Sequence, residues 1–99
     1  MVNRLKTSRR DSIKSAQDGE SLAVSAFSFL AGEQEYFSKF AELSGIDFAD
    51  IAEMVNTPSF LTSVLAFLLS DDSMLLAFCQ ANNHQPEDVN RAHYYLSEM

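Results

Sequence analysis

Apolar residues recur every three to four positions along most of the chain, which is the spacing of one face of an α-helix. Residues that cap helices or form turns interrupt this pattern at Gly32, Gly45, Thr57-Pro58, Asn82-Asn83 and Pro86. The pattern predicts an all-α domain of five to six short helices, over residues 21–31, 34–44, 48–55, 58–69, 72–81 and 86–97. We expect left-handed caps at Gly32 and Gly45. A weaker pattern over residues 12–17 is followed by Gly19, so an earlier start of the first helix stays open.

The most apolar stretch covers residues 60–79 and reads FLTSVLAFLLSDDSMLLAFC. A polar corner at residues 70–72 divides it, and neither half reaches the about 18–20 continuous apolar residues of a membrane span. We therefore predict no membrane span, but two helices at the centre of a core. The first of them is apolar nearly all round, so either its own chain encloses it or a second protein covers it. The candidate interface for a second protein is Phe60, Leu61, Val64, Leu68, Tyr94 and Tyr95.

The chain also matches itself when it is shifted by 38 residues. Residues 27–31 (FSFLA) then align with residues 65–69 (LAFLL), and Asp50 aligns with Asp88. Gly45 aligns with Asn83, and both residue types tolerate the left-handed conformation of a helix cap. Any two amphipathic helix pairs share some of this spacing, but the shared caps favour a duplication. We predict two related three-helix halves that pack through helices one and four.

A helix-turn-helix spacing occurs in both halves, at Ala41, Gly45 and Ile51 and again at Cys79, Asn83 and Val89. It indicates two crossed helices. It does not indicate DNA, because the would-be recognition segment, residues 47–54, holds three acidic residues and no Lys or Arg. We therefore predict that the helices do not bind DNA.

The net charge of −7 is unevenly distributed. Residues 1–14 are basic, whereas the remainder holds only Lys39 and Arg91 against nearly all the acidic residues. We predict a flexible basic arm over residues 1–11 and a helical domain over residues 12–99. The acidic body should repel nucleic acid and anionic membranes, whereas the arm offers candidate anion contacts at Arg4, Lys6, Arg9 and Arg10.

The residues that could carry chemistry have ordinary structural explanations. His84 and His93 lack the paired spacing of a zinc site, and Asp71-Asp72 suits a helix N-terminus. Cys79 lies among apolar residues, which is typical of a buried and unreactive thiol. We therefore predict no catalytic residues, no metal, no cofactor and no enzymatic activity. The single cysteine and the absence of an apolar signal segment favour a reducing cytoplasm.

Three blocks carry a resemblance to a known family, namely FSFLAGEQEYFSKFAELSGID (27–47), PSFLTSVLAFLLSDDSMLLAFC (58–79) and PEDV (86–89). Together they resemble a family of small alphaproteobacterial proteins known only as a domain of unknown function, over about residues 20–97. Asn83-His84 departs from that family, which has Gly and then an aliphatic residue at this point. The resemblance implies a small all-helical fold in a bacterial cytoplasm, and it transfers no activity and no catalytic residue.

The sequence favours a non-enzymatic protein–protein interaction or structural module, of which a homodimer is the simplest version. Two alternatives stay open. One is a nucleic-acid-associated regulator that uses the basic arm for phosphate contacts. The other is a carrier of a small apolar ligand or lipid, held in a cavity between the two halves.

Overall fold

The computed structural model describes residues 13–55 and 57–98. Over these residues the chain forms six helices and no strand, which confirms the predicted all-α class. The helices are α1 (Ala16–Ala31), α2 (Gln34–Ser44), α3 (Phe48–Met54), α4 (Pro58–Leu69), α5 (Asp72–Asn82) and α6 (Pro86–Ser97). The predicted bounds of α2, α4 and α6 are confirmed, and those of α3 and α5 differ by one residue.

The first helix begins at Ala16 rather than at residue 21, and it runs through Gly19 without a break. Its N-cap is Ser15, whose hydroxyl accepts a hydrogen bond from the Asp18 N–H at 3.3 Å. Gly19 is buried where α6 crosses, and a Cβ atom there would lie 3.3 Å from the Ala92 backbone. The glycine that left the start of α1 open is therefore the point at which two helices come closest.

The three cap residues behave differently. Gly45 has φ +72° and Asn83 has φ +58°, so both are left-handed as expected. The expectation for Gly32 is wrong, because its φ of −76° and ψ of −12° are right-handed. Gly32 continues the last turn of α1, since its N–H donates to the Ser28 carbonyl at 3.0 Å.

The core is built around α1, α4 and α6, each of which packs extensively against the other two. α2 and α5 flank this trio, whereas α3 touches the other helices only marginally. The predicted packing through helices one and four is therefore incomplete, because α6 lies on both. The described buried apolar residues are Ile13, Leu22, Ala23, Ala26, Leu30, Phe40, Phe60, Leu61, Val64, Leu65, Phe67, Leu68, Met74, Leu75, Phe78, Cys79, Val89, Ala92 and Leu96.

The predicted burial of α3 is not observed. Ala52 is exposed, and Ile51 and Val55 are only half-buried; the predicted burial of Phe48 lies outside what the structure describes. The position equivalent to Leu96 in the other half is Pro58, which already belongs to α4. α3 therefore ends before it can supply the third apolar layer that α6 provides.

The internal repeat holds locally and fails in the packing of its third helix. A shift of 38 residues superimposes the bounds of α2 on those of α5, and the start of α3 on the start of α6. It also superimposes the two left-handed caps, Gly45 and Asn83. α6 nevertheless lies in the core and α3 at the periphery, so the two halves share local structure but not their complete packing.

The apolar stretch forms α4 and α5, which a bend of 110° separates. No single helix in the described part of the chain has both the length and the apolar character needed to cross a bilayer. The two helices meet that test only when they are taken together.

The left-handed caps give a prediction with a built-in comparison. Asn83→Ala should lower the free energy of unfolding by about 1–2 kcal/mol, because a Cβ atom without a compensating polar group disfavours this conformation. Asn83→Gly should leave stability unchanged or raise it slightly, because glycine adopts φ +58° without strain. Urea denaturation of the two variants checks this, and equal losses would contradict the role of the cap.

Candidate interaction surface

The structure places four of the six predicted interface residues inside the chain's own core. Phe60 and Leu61 are each 1% exposed, and Val64 and Leu68 are fully buried. α4 is enclosed because α1 and α6 cover it and α2 and α5 lie against it. The interface prediction is corrected for these four side chains, since a partner cannot reach them while the chain is folded.

The other two predicted interface residues lie at the surface end of α6. Tyr94 is exposed, and the half-buried ring of Tyr95 packs against the core. Their rings meet edge to face, with centroids 5.6 Å apart. The pair is a small aromatic patch, and only Tyr94 is open to a partner.

The most exposed large apolar side chain that the structure describes is Leu43, at 71%. It lies on α2 beside a groove of about 310 Å³ between α2 and α4. Exposed Val24, Leu76 and Tyr94 lie on three other helices and do not line this groove. We call it the α2–α4 groove, and its lining is Phe40, Leu43, Ser44, Ser63, Ala66, Phe67 and Ser70.

The inner part of the α2–α4 groove is aromatic. Phe40 of α2 and Phe67 of α4 meet edge to face there, with centroids 5.4 Å apart. Phe60 supports Phe40 from inside the core, with centroids 5.8 Å apart. Because these rings are held by the core, the groove is formed before anything binds in it.

The opposite wall of the groove is a strip of small side chains on α4. Its hydroxyls are satisfied within the helix, because Ser63 donates to the Ser59 carbonyl at 3.1 Å and Ser70 donates to the Phe67 carbonyl at 2.7 Å. Covering this wall would leave no hydroxyl donor unpaired. Small side chains also let another backbone approach closely, so the wall suits an extended or helical segment.

The rim of the groove is acidic. Glu42 and Asp47 are exposed at the end of α2, and Asp71 follows Ser70 at the end of α4. A neighbouring recess of about 460 Å³ is lined by Glu35, Glu42 and Asp71 together with Lys39. Within residues 13–55 and 57–98, the ion pair within 4.0 Å is His84–Asp88, so these rim carboxylates have no cationic partner there.

A second cluster of polar residues surrounds the start of α6. Asp88 is 2% exposed, and its carboxylate accepts a hydrogen bond from the Gln85 N–H at 3.0 Å. The His84 Nδ1 atom lies 3.4 Å from the same carboxylate oxygen, and the His84 ring stacks on Phe78 with centroids 5.9 Å apart. Burial raises the pKa of the nearby Cys79 thiol, and the negative charge of Asp88 raises it further.

This cluster holds a helix start in place. The raised pKa keeps Cys79 protonated, and a thiol is a much weaker nucleophile than a thiolate. His84 also lines a recess of about 170 Å³ with Ser21 and Ser25, but no serine hydroxyl in the described part donates to it. The described residues contain no group of three or more His, Cys, Asp or Glu side chains placed to hold a metal ion.

Asp88→Asn tests the role of the cluster. It should lower the free energy of unfolding by about 1–3 kcal/mol, because a buried charge-assisted hydrogen bond at a helix start becomes a neutral one. It should also lower the pKa of Cys79, which stays above its ordinary value because burial is the larger cause. Urea denaturation and the pH dependence of thiol alkylation measure the two effects.

The matched control is Asp50→Asn at the equivalent exposed position of α3, which should change stability by no more than about 0.5 kcal/mol. The sign of the pH dependence comes from the raised pKa of Cys79. Its contribution to stability is complete below the thiol's unfolded-state pKa and is lost as the pH rises through the folded-state pKa. An unchanged alkylation profile in Asp88→Asn would contradict the contact.

Two further predictions concern DNA and helix capping. The Asp71 carboxylate accepts a hydrogen bond from the Met74 N–H at 3.1 Å, so it caps α5 as the sequence suggested. Asp47 and Asp50 of the first helix-turn-helix unit are exposed, which places negative charge where DNA phosphates would lie. The arm residues Arg4, Lys6, Arg9 and Arg10 lie outside the described residues, and their anion contacts stay a prediction.

The carrier alternative needs an enclosed apolar cavity between the halves. The largest recess described, about 500 Å³, opens to solvent and is lined by Gln17, Glu20, Ser21, Val24 and Leu61. The centre of the fold is filled by packed side chains. The described part of the chain therefore gives the carrier alternative no support.

The comparisons with known proteins agree with this picture. A family model described as "Protein of unknown function (DUF3572)" matches residues 16–99. No curated protein and no solved structure shows significant similarity to the chain. The match begins at the first residue of α1 and covers all six helices, so the family is defined by the helical body.

Proposed function

The chain belongs to the DUF3572 family of proteins of unknown function, and we propose that it is a non-enzymatic interaction module that binds a protein through the α2–α4 groove. The observation that carries the proposal is the exposure of Leu43 beside a preformed aromatic groove. A large apolar side chain left in water at the edge of such a groove is typical of a binding site.

The energetics favour a side chain docking against Leu43 and the Phe40–Phe67 pair. Burying a leucine-sized side chain contributes about 1.5–3 kcal/mol, and the groove needs little reorganisation because the core holds its rings. A segment seated here would cover the small side chains of α4 without stranding a polar group. The simplest partner is a second copy of the chain, as the sequence already suggested.

Replacing Leu43 with a charged residue tests the proposal. The immobilised full chain should retain a protein from a lysate of the cells that produce it, and Leu43→Asp should lose that protein. Leu76→Asp is the matched control, because Leu76 is 57% exposed on α5 and does not line the groove. Light scattering of the same three proteins tests the homodimer version, in which the dimer is lost only in Leu43→Asp.

The proposal has a clear negative result. If Leu43→Asp retains every protein that the unaltered chain retains and has the same mass, the α2–α4 groove is not the interaction surface. Both substitutions lie at exposed positions, so circular dichroism should show that both variants keep the helical fold.

We also propose that the module acts in a reducing cytoplasm. Cys79 is a free and buried thiol within the core, and the sequence contains no second cysteine that could pair with it.

A further inference from the structure

The chain carries, outside its described helical body, a segment whose chemistry complements the α2–α4 groove. Residues 1–12 hold four basic side chains against the single acidic Asp11, whereas the rim of the groove is acidic. The segment also holds Val2 and Leu5, which are apolar side chains of the size that would pack beside Leu43. We infer that residues 1–12 bind in the α2–α4 groove of their own chain and must leave it before a partner protein can bind.

Charge is the first support for this occupant. Glu42, Asp47 and Asp71 stand around the groove without a cationic partner in the described part of the chain. The basic residues that could neutralise them are Arg4, Lys6, Arg9 and Arg10, because most of the remaining chain is acidic. Two facing sets of opposite charge steer association, and the attraction weakens as salt is added.

The length of the segment is the second support. Ile13 is buried, so residues 1–12 are tethered at the start of α1. Twelve residues span at most about 40 Å. α1 is about 24 Å long, and α2 and α4 both pack against it at a distance of about one helix diameter, roughly 10 Å. The segment therefore reaches any point of the groove.

Tethering is the third support, and it favours the chain's own segment over that of a second copy. A short tether holds a segment near its site at an effective concentration in the millimolar range. A second copy at micromolar concentration competes poorly with it. This inference rests on the proposed function, because it regulates access to the groove that we propose as the docking surface.

Paramagnetic relaxation enhancement on the full chain tests the inference. A nitroxide attached at Val2→Cys should broaden the amide signals of Leu43 and Ala66 in the groove more than those of Leu76 and Tyr94 outside it. Cys79 stays unlabelled, because its thiol is buried and its pKa is raised. Raising the salt from about 0.01 to about 0.15 M shortens the Debye length from about 30 to about 8 Å, so the broadening should fall severalfold.

A charge-reversed segment is the decisive variant. Arg4→Glu, Lys6→Glu, Arg9→Glu and Arg10→Glu together should abolish the selective broadening, and none of these residues belongs to the buried core. The inference is overturned if broadening survives this reversal, or if Leu76 and Tyr94 broaden as much as Leu43 and Ala66. It is also overturned if the groove signals broaden only when nitroxide-bearing chains are mixed with separate isotope-labelled chains, since a second copy would then supply the segment.

The two proposals fail in different ways. If Leu43→Asp loses its partner protein but the nitroxide leaves the groove unaffected, the groove is a docking surface and residues 1–12 do not occupy it. If the nitroxide broadens the groove signals but Leu43→Asp changes no interaction, the segment binds there and the proposed docking function is wrong. For a regulatory segment, the charge-reversed chain should also retain more partner protein than the unaltered chain.

Discussion

Phe60→Ala should lower the free energy of unfolding by about 3–5 kcal/mol. Phe60 is 1% exposed, and its ring meets Phe27 and Phe40 edge to face, with centroids 5.3 and 5.8 Å away. Removing the ring leaves a cavity where α4 meets α1 and α2, and it also removes the support of the α2–α4 groove. Because a domain of this size is stable by only about 5–15 kcal/mol, the loss would be a large share of the total.

Urea denaturation of Phe60→Ala and Phe60→Leu measures this effect. The leucine variant should lose less, because it fills much of the volume that the ring occupied. Leu43→Ala is the exposed control and should stay within about 0.5 kcal/mol of the unaltered chain. If Phe60 belonged to a partner interface, as the sequence alone suggested, Phe60→Ala would leave the isolated chain as stable as before.

The result would decide between the two explanations that the sequence left open for α4. An apolar pattern all round a helix shows that both faces are covered, but it does not show by what. The structure supplies the covering elements, namely α1, α2, α5 and α6 of the same chain. This information depends on contacts between distant parts of the sequence, which helical periodicity does not contain.

The elements that the sequence predicted well are those with local signals. Thr57 accepts a hydrogen bond from the Phe60 N–H at 3.2 Å, and Pro58 occupies the first position of α4. Gly45 and Asn83 adopt the left-handed conformation that their side chains permit. In each case a few neighbouring residues determine the conformation, so the sequence is sufficient to predict it.

The candidate site was harder to predict because its features are not local. The groove forms because Phe40 and Phe67 meet across two helices while Leu43 remains uncovered. The sequence offered one usable signal, which is the strip of small residues at helical spacing that ends in Ser63, Ala66 and Ser70. Such a strip marks the face of α4 that turns away from the core, and attention to the large residues alone conceals it.

The same distinction applies to the repeat. The shift of 38 residues correctly aligns helix ends and caps, because those are local properties. It predicts equal packing of α3 and α6 wrongly, because packing depends on the length of each helix and on the element that comes after it. α4 begins almost directly after α3, whereas α6 extends far enough to bury Leu96 against the core.

Gly19→Leu should lower the free energy of unfolding by about 3 kcal/mol, because it forces a side chain between α1 and α6. Even the Cβ atom of Gly19→Ala would lie 3.3 Å from the Cα and carbonyl oxygen of Ala92, and these are backbone atoms of a packed helix. Alanine gains about 1 kcal/mol over glycine in a helix interior, and crowding here should outweigh that gain. We therefore expect Gly19→Ala to be destabilising as well, by a smaller amount.

Gly32→Ala provides a control of opposite sign for this close approach. Its φ of −76° suits alanine, and the added Cβ atom would lie 3.5 Å from two carbonyl oxygens, which is an ordinary contact. Gly32→Ala should therefore stabilise the chain by about 0.4–1 kcal/mol, mainly by restricting the unfolded state. Thermal and urea unfolding of the three variants measures the contrast. If Gly19→Ala proved as stabilising as Gly32→Ala, α6 would not be held against α1 as closely as the structure places it, and the enclosure of α4 by α1 and α6 would be looser too.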